Sequence, residues 1–179
     1  MKGGDAMTEL GARGTPPAQT ADVIWTQRDR LLRSAAVLYG AGLALHTADH
    51  IRRGVGVLTP EVIWAGTVST IAGVVTLRLV LTRHRLAPLL ATLIGFQVAL
   101  GTAAVHLLPH WGSFSDALPG AHGTGVTAFS WIVVIIELVG ALLLGIFGAN
   151  LLFLQRQTDL REPLAANPRE RRPIAEGAE

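Results

Sequence analysis

The chain of 179 residues contains no cysteine. That excludes disulfides, thiolate metal sites, iron–sulfur clusters and haem attached through thioethers, so any metal must be held by nitrogen and oxygen. Charge is scarce as well: 16% of residues are Asp, Glu, Lys or Arg, against 50% hydrophobic, and mean hydropathy is +0.42. An ordinary soluble domain of this length is more polar. The isoelectric point near 9.9 does not point to nucleic acid, because the basic residues are spread over both ends and the loops without a clustered stripe. A secretory signal is also missing from the first thirty residues, which are polar and rich in Gly, Pro and mixed charge. The first helix is therefore expected to stay as an uncleaved anchor.

What the chain does have is long apolar runs, at about 33–51, 61–82, 87–108 and 126–154. Each is near or above the ~20 residues that an α-helix needs to cross a bilayer. The expected fold is all-α: an up-down transmembrane four-helix bundle over 31–154, with a polar tail at 1–30 and a disordered tail at 155–179. Arginines near the run ends collect on one side, at Arg28, Arg30, Arg33, Arg83, Arg85, Arg156 and Arg161, and the other side has Arg52 and Arg53. The excess marks the cytoplasmic side of a bacterial inner membrane, with both termini there. Trp64, Trp111 and Trp131 then fall near the outer ends of their helices, and Trp25 precedes the inner end of the first, as interfacial indoles do. Arg78, in the last turns of the second run, is placed to snorkel to the inner interface. Small residues recur every fourth position, for example Ala36, Gly40, Ala44 and Ala48, or Gly95, Ala99 and Ala103, so helix backbones can approach closely.

The chemistry-bearing residues are the histidines. Four of the six form helically spaced pairs, His46/His50 and His106/His110, each at the outer end of a run. In HTADHIRR, His46, Asp49, His50 and Arg53 recur at i, i+3, i+4 and i+7, on one helix face. In HLLPH, Pro109 ends or bends the helix before His110. Asp116 and His122 lie in the following loop, and His84 is on the inner side. Imidazoles with carboxylates and no thiolate suit Zn(II), Cu(II) or Fe(II). The candidate ligands are His46, His50, His106 and His110, with Asp49, Asp116 and His122 beside them. Haem b is the second choice of cofactor, held by one histidine from each of two facing helices. The zinc-protease signature is missing, because Thr47 stands where its glutamate belongs.

Two polar residues fall near the middle of the apolar runs. Glu137, in WIVVIIELVG, needs a partner or a proton there, and Gln97 at similar depth is the expected partner, with Tyr39 able to join them. Arg52 and Arg53 are expected to meet lipid phosphate, Asp116, Glu61 or an anionic ligand. At HTADHIRRG and HLLPHWGSFSD the chain resembles small four-helix membrane proteins of actinobacteria. The resemblance runs from about Leu31 to Leu154, implies a membrane domain, and carries over no activity. Three functions are compatible with these features: an outward metal or haem site in metal handling or redox support; a non-catalytic membrane subunit that packs against partner helices or another copy; and a small proton-coupled transporter using Glu137. The last lacks the internal repeat and paired helix breaks of transporter folds.

Overall fold

The computed structural model describes residues 17–121 and 124–166. It is all-helical among the described residues. The main helices are α1 (Pro17–Arg53), α2 (Pro60–Leu81), α3 (Ala87–Thr102) and α4 (Ala128–Ala166), and α3 continues into a π-helical turn, Ala103–Leu107. Local sequence sets the boundaries. Gly54, at φ 88, ends α1, in a conformation that costs glycine little. Thr59 caps α2 by accepting a hydrogen bond from the Val62 amide at 3.2 Å, with Pro60 in the first turn, the favoured start of a helix. Pro88 occupies the same place in α3.

The polar flanks are more helical than expected. α1 begins at Pro17, inside the segment read as a polar tail, and α4 runs to Ala166, through part of the segment read as disordered. Those stretches are rich in Gln, Arg, Leu and Ala, which favour helix whether or not a bilayer surrounds them. The rest of both tails lies outside the described residues.

α4 is the hub, packed along both α1 and α3, and α2 closes the ring with fewer contacts. Glycines set this asymmetry. A Cβ on Gly42 of α1 would stand 2.6 Å from the Glu137 Cα, and one on Gly140 of α4 would stand 2.7 Å from the Tyr39 Cα. A Cβ on Gly95 of α3 would meet the backbone of Ala141 and Gly145, and one on Gly148 would meet Thr92. At these crossings the opposing atoms are backbone, so no larger residue fits, and the close approach yields dispersion contact without needing burial from water. The crossings order as 39 with 140 and 42 with 137, so α1 and α4 are antiparallel.

Several polar groups are buried with the apolar core, and many large apolar side chains are outside. His46, Asp49, Thr76, His106, Ser115, Ser130 and Glu137 are buried, whereas Ile63, Val68, Ile71, Val74, Leu93, Leu100, Ile132, Ile135 and Val139 are exposed. Among the described residues, three helices are long and apolar enough to cross a membrane: Pro60–Leu81, Ala87–Leu107 and Ala128–Gln157. α1 is not among these. Its apolar run is diluted by His46, Asp49 and His50.

Candidate metal centre

Three imidazoles meet at one end of the bundle. His46 and His50 come from successive turns of α1, and their ring centroids are 4.6 Å apart; His106 approaches from the π turn, 4.6 Å from His46 and 5.6 Å from His50. One ligand nitrogen from each lies within 4.8 Å of one from each of the others. Such nitrogens can converge on one ion with ordinary ~2.0 Å metal–nitrogen bonds after small side-chain adjustment.

His106 owes its place to Pro109. In an uninterrupted helix the amide of residue 109 would bond to the Val105 carbonyl and that of residue 110 to the His106 carbonyl; proline has no N–H to give. The freed carbonyls are taken by the returning loop instead: the Asp116 amide donates to Val105 at 3.0 Å and the Leu118 amide to His106 at 2.9 Å. Trp111 Nε1 donates to the Ala104 carbonyl at 2.7 Å. These three bonds stabilise a widened π turn, a feature that recurs at functional sites, and hold His106 buried beneath the loop.

Two of the rings are oriented from behind. The His46 Nδ1–H donates to Glu137 Oε2 in a short contact. The His106 Nδ1–H donates to the Asp116 main-chain carbonyl at 3.0 Å; a carbonyl only accepts, so in the neutral ring the proton is on Nδ1 and Nε2 carries the free lone pair. Asp116 Oδ2 lies 3.7 Å from His50 Nδ1 and 3.5 Å from His106 Nδ1. Oxygen partners on Nδ1 fix tautomer and orientation in metal-binding histidines. His46 Nε2 and His50 Nδ1 are buried and have no hydrogen-bond partner, which is costly unless something else binds there.

The carboxylates are held by arginines. Arg53 pairs with Asp116 through two hydrogen bonds, 2.8 Å to Oδ2 and 2.6 Å to Oδ1. Burial would raise the Asp116 carboxyl, but the Arg53 guanidinium outweighs it and holds the group below its ordinary 3.8. The hydrogen bond to Asp116 in turn pushes Arg53 up, against the effect of burial. Arg52 Nε donates to Asp49 Oδ1 at 2.9 Å and its NH2 group donates to the Gly125 carbonyl at 2.8 Å and Ser130 Oγ at 3.3 Å. Both arginines therefore tie α1 to the loop and the start of α4. Of the roles the sequence left open for them, pairing with Asp116 is the one seen.

The expected cluster is thus redistributed. His46, His50 and His106 form the triad. Asp116 stands behind them, and Asp49 is buried against Arg52, because residues 49 and 50 are 100° apart on the helix and only one can face the triad. His110 is exposed beyond Pro109 and outside the group. His122 lies outside the described residues. The expected pairing of Gln97 with Glu137 is not found: Gln97 Nε2 donates to Ser69 Oγ at 3.4 Å, and Glu137 meets His46. Equal depth does not fix which helix a side chain faces, and Gly42 brings α1 hard against α4 at Glu137. Tyr39 does not join this network either; it is fully buried, with its hydroxyl against Gly73 and without a hydrogen-bond partner.

Beside the triad is a cavity of about 450 Å³. α2 forms much of its wall, through Val62, Gly66, Ser69 and Thr70, and His46, His50, His106, Glu137, Tyr39 and Gln97 also line it. No family model, no curated protein and no solved structure matches the chain.

Proposed function

We propose that the chain is an integral membrane protein that holds one first-row transition metal ion, Zn(II), Cu(II) or Fe(II), on His46, His50 and His106, in metal handling or redox support. The observation that carries this reading is the three imidazoles within ligating distance of one another, with oxygens against Nδ1 of His46 and His106 and unpartnered buried nitrogens on His46 and His50. A neutral three-histidine set with a fourth position toward a cavity is the donor arrangement of open, reactive sites rather than closed structural ones. Haem b suits the arrangement less well, because the His46 and His106 rings are in edge contact at 4.6 Å, and a macrocycle needs a slot between its axial ligands.

The membrane reading is supported by the inverted polarity, with apolar side chains outside and carboxylates inside, and by three helices of spanning length. α1 lies along α4 for much of its length and goes where α4 goes, which gives four spans. The arginine bias then puts the triad at the outward face of a bacterial inner membrane. The test is elemental analysis of the full chain purified in detergent and reloaded with each metal. One ion per chain, lost in the His46→Ala/His50→Ala/His106→Ala variant, supports the site; substoichiometric metal under every loading condition removes it.

A further inference from the structure

We infer that the fourth coordination position is reached from the bilayer through the cavity beside α2, and that the ligand entering there is an uncharged, lipid-soluble molecule with oxygen at both ends, of the quinol class. The inference rests on the metal reading above and names what the site would take.

Four observations support it. The cavity's volume of about 450 Å³ lies within the range of pockets for small organic ligands. Its rim is apolar and exposed on the sides of helices: Ile71 on α2 is 61% exposed, at a level that faces hydrocarbon if α2 spans a bilayer, and Ile63, 44% exposed, continues the rim toward the interface. A hydrated ion or a charged substrate gains nothing from such an entrance. Unpartnered polar groups stand apart at two levels among the imidazoles and hydroxyls of its lining. At one end are the triad nitrogens, of which His46 Nε2 has no partner; deeper in, the Tyr39 hydroxyl is fully buried and likewise unpartnered. Seven residues separate Tyr39 from His46, so the two levels are about 10 Å apart along α1. The Gln97 amide and Ser69 hydroxyl add a second polar group between α2 and α3.

A buried donor with no acceptor is an expensive feature to keep, and Tyr39 lines the same cavity as His46 and His50, which carry the unpartnered imidazole nitrogens. A ligand with one oxygen on the metal and the other on Tyr39 relieves both. The quinol class has that form: two hydroxyl oxygens across an apolar ring, no charge, and solubility in lipid.

The glycines of the wall make the proposal testable without breaking the fold. A Cβ at Gly66 on α2 or at Gly101 on α3 meets nothing within 4 Å, so bulk is accommodated there while the cavity is filled. The experiment uses the full chain in lipid nanodiscs loaded with Co(II), whose visible absorption reports its coordination. A decyl-substituted hydroquinone is titrated anaerobically, with azide as a water-borne anion for comparison. The expected result is a saturable spectral change with the hydroquinone, abolished in Gly66→Phe at undiminished Co(II) content. Tyr39→Phe should weaken it about fivefold, the loss of one neutral hydrogen bond, while leaving thermal stability equal or higher, since the orphaned hydroxyl is gone. Stoichiometric Co(II) with no response to the hydroquinone, a response to azide alone, or a response unchanged in both variants overturns the inference and leaves the metal site standing. Failure of Co(II) to bind overturns both.

Discussion

Glu137 offers the sharpest test of how the triad works, because its carboxylate touches a ring and would not touch the metal. Its Oε2 accepts from His46 Nδ1, and the residue is 4% exposed. With the proton held on Nδ1, Nε2 is left bare for the ion. Glu137→Gln keeps an oxygen that can accept the same hydrogen bond but loses the negative charge that raises the basicity of the ring. Glu137→Leu removes the acceptor, strands a buried N–H, and lets the ring shift its proton to Nε2, which blocks the ligand atom. Changing such a carboxylate partner typically costs 10- to 100-fold in metal affinity. We assign about tenfold to Glu137→Gln and about 100-fold to Glu137→Leu, or roughly 1.4 and 2.7 kcal/mol. The assay is competition for Zn(II) against a chromogenic chelator in detergent, with thermal unfolding of the metal-free chain confirming that each variant is folded. Wild-type affinity in a folded Glu137→Leu variant would refute the reasoning.

Asp116→Asn should destabilise the chain by about 3 kcal/mol at neutral pH, the cost of leaving the buried Arg53 charge without its partner. Because the folded Asp116 is held below its ordinary 3.8, its contribution is fully present above that value and is lost as pH falls through the folded value. Thermal midpoints of wild type and variant, measured across pH, should accordingly converge in acid. Gly42→Ala should lower both stability, by about 1–3 kcal/mol, and Zn(II) affinity, since even a methyl forces α1 away from Glu137; a variant that unfolds and binds like wild type counts against the close crossing. His110→Ala should leave Zn(II) affinity within about twofold, whereas His106→Ala should abolish tight binding, as read by the same competition assay. The cysteine-free chain also allows a clean topology test: Gly56→Cys should react with a membrane-impermeant maleimide on intact cells, and Thr82→Cys only after permeabilisation.

Much of the fold was legible because hydropathy and small-residue spacing act locally. The outer boundaries of all four runs fall within a few residues of helix ends, where Gly54, Pro60 and Pro109 sit. The first pair of triad members was legible for the same reason, since 3.6 residues per turn places His46 beside His50 whatever α1 packs against. His106 was nameable, but not the π turn that aims it, which arises when a proline without an amide meets loop amides from Asp116 and Leu118 far along the chain. Asp49 was misplaced by treating i+3 and i+4 as one direction. The partner of Glu137 was misjudged because depth gives the level of a side chain and not its azimuth; the Gly42 crossing decides that. The cavity, formed where α2 stands off from α3 and α1, leaves no local mark in the sequence.

The central claim is that His46, His50 and His106 hold one ion together. An X-ray absorption spectrum of the Zn(II)-loaded full chain in nanodiscs measures this most directly. The account predicts about three imidazole nitrogens near 2.0 Å and one further light-atom ligand, with the imidazole scattering lost in His106→Ala. A spectrum dominated by water and carboxylate oxygen, or one unchanged by that substitution, would contradict it.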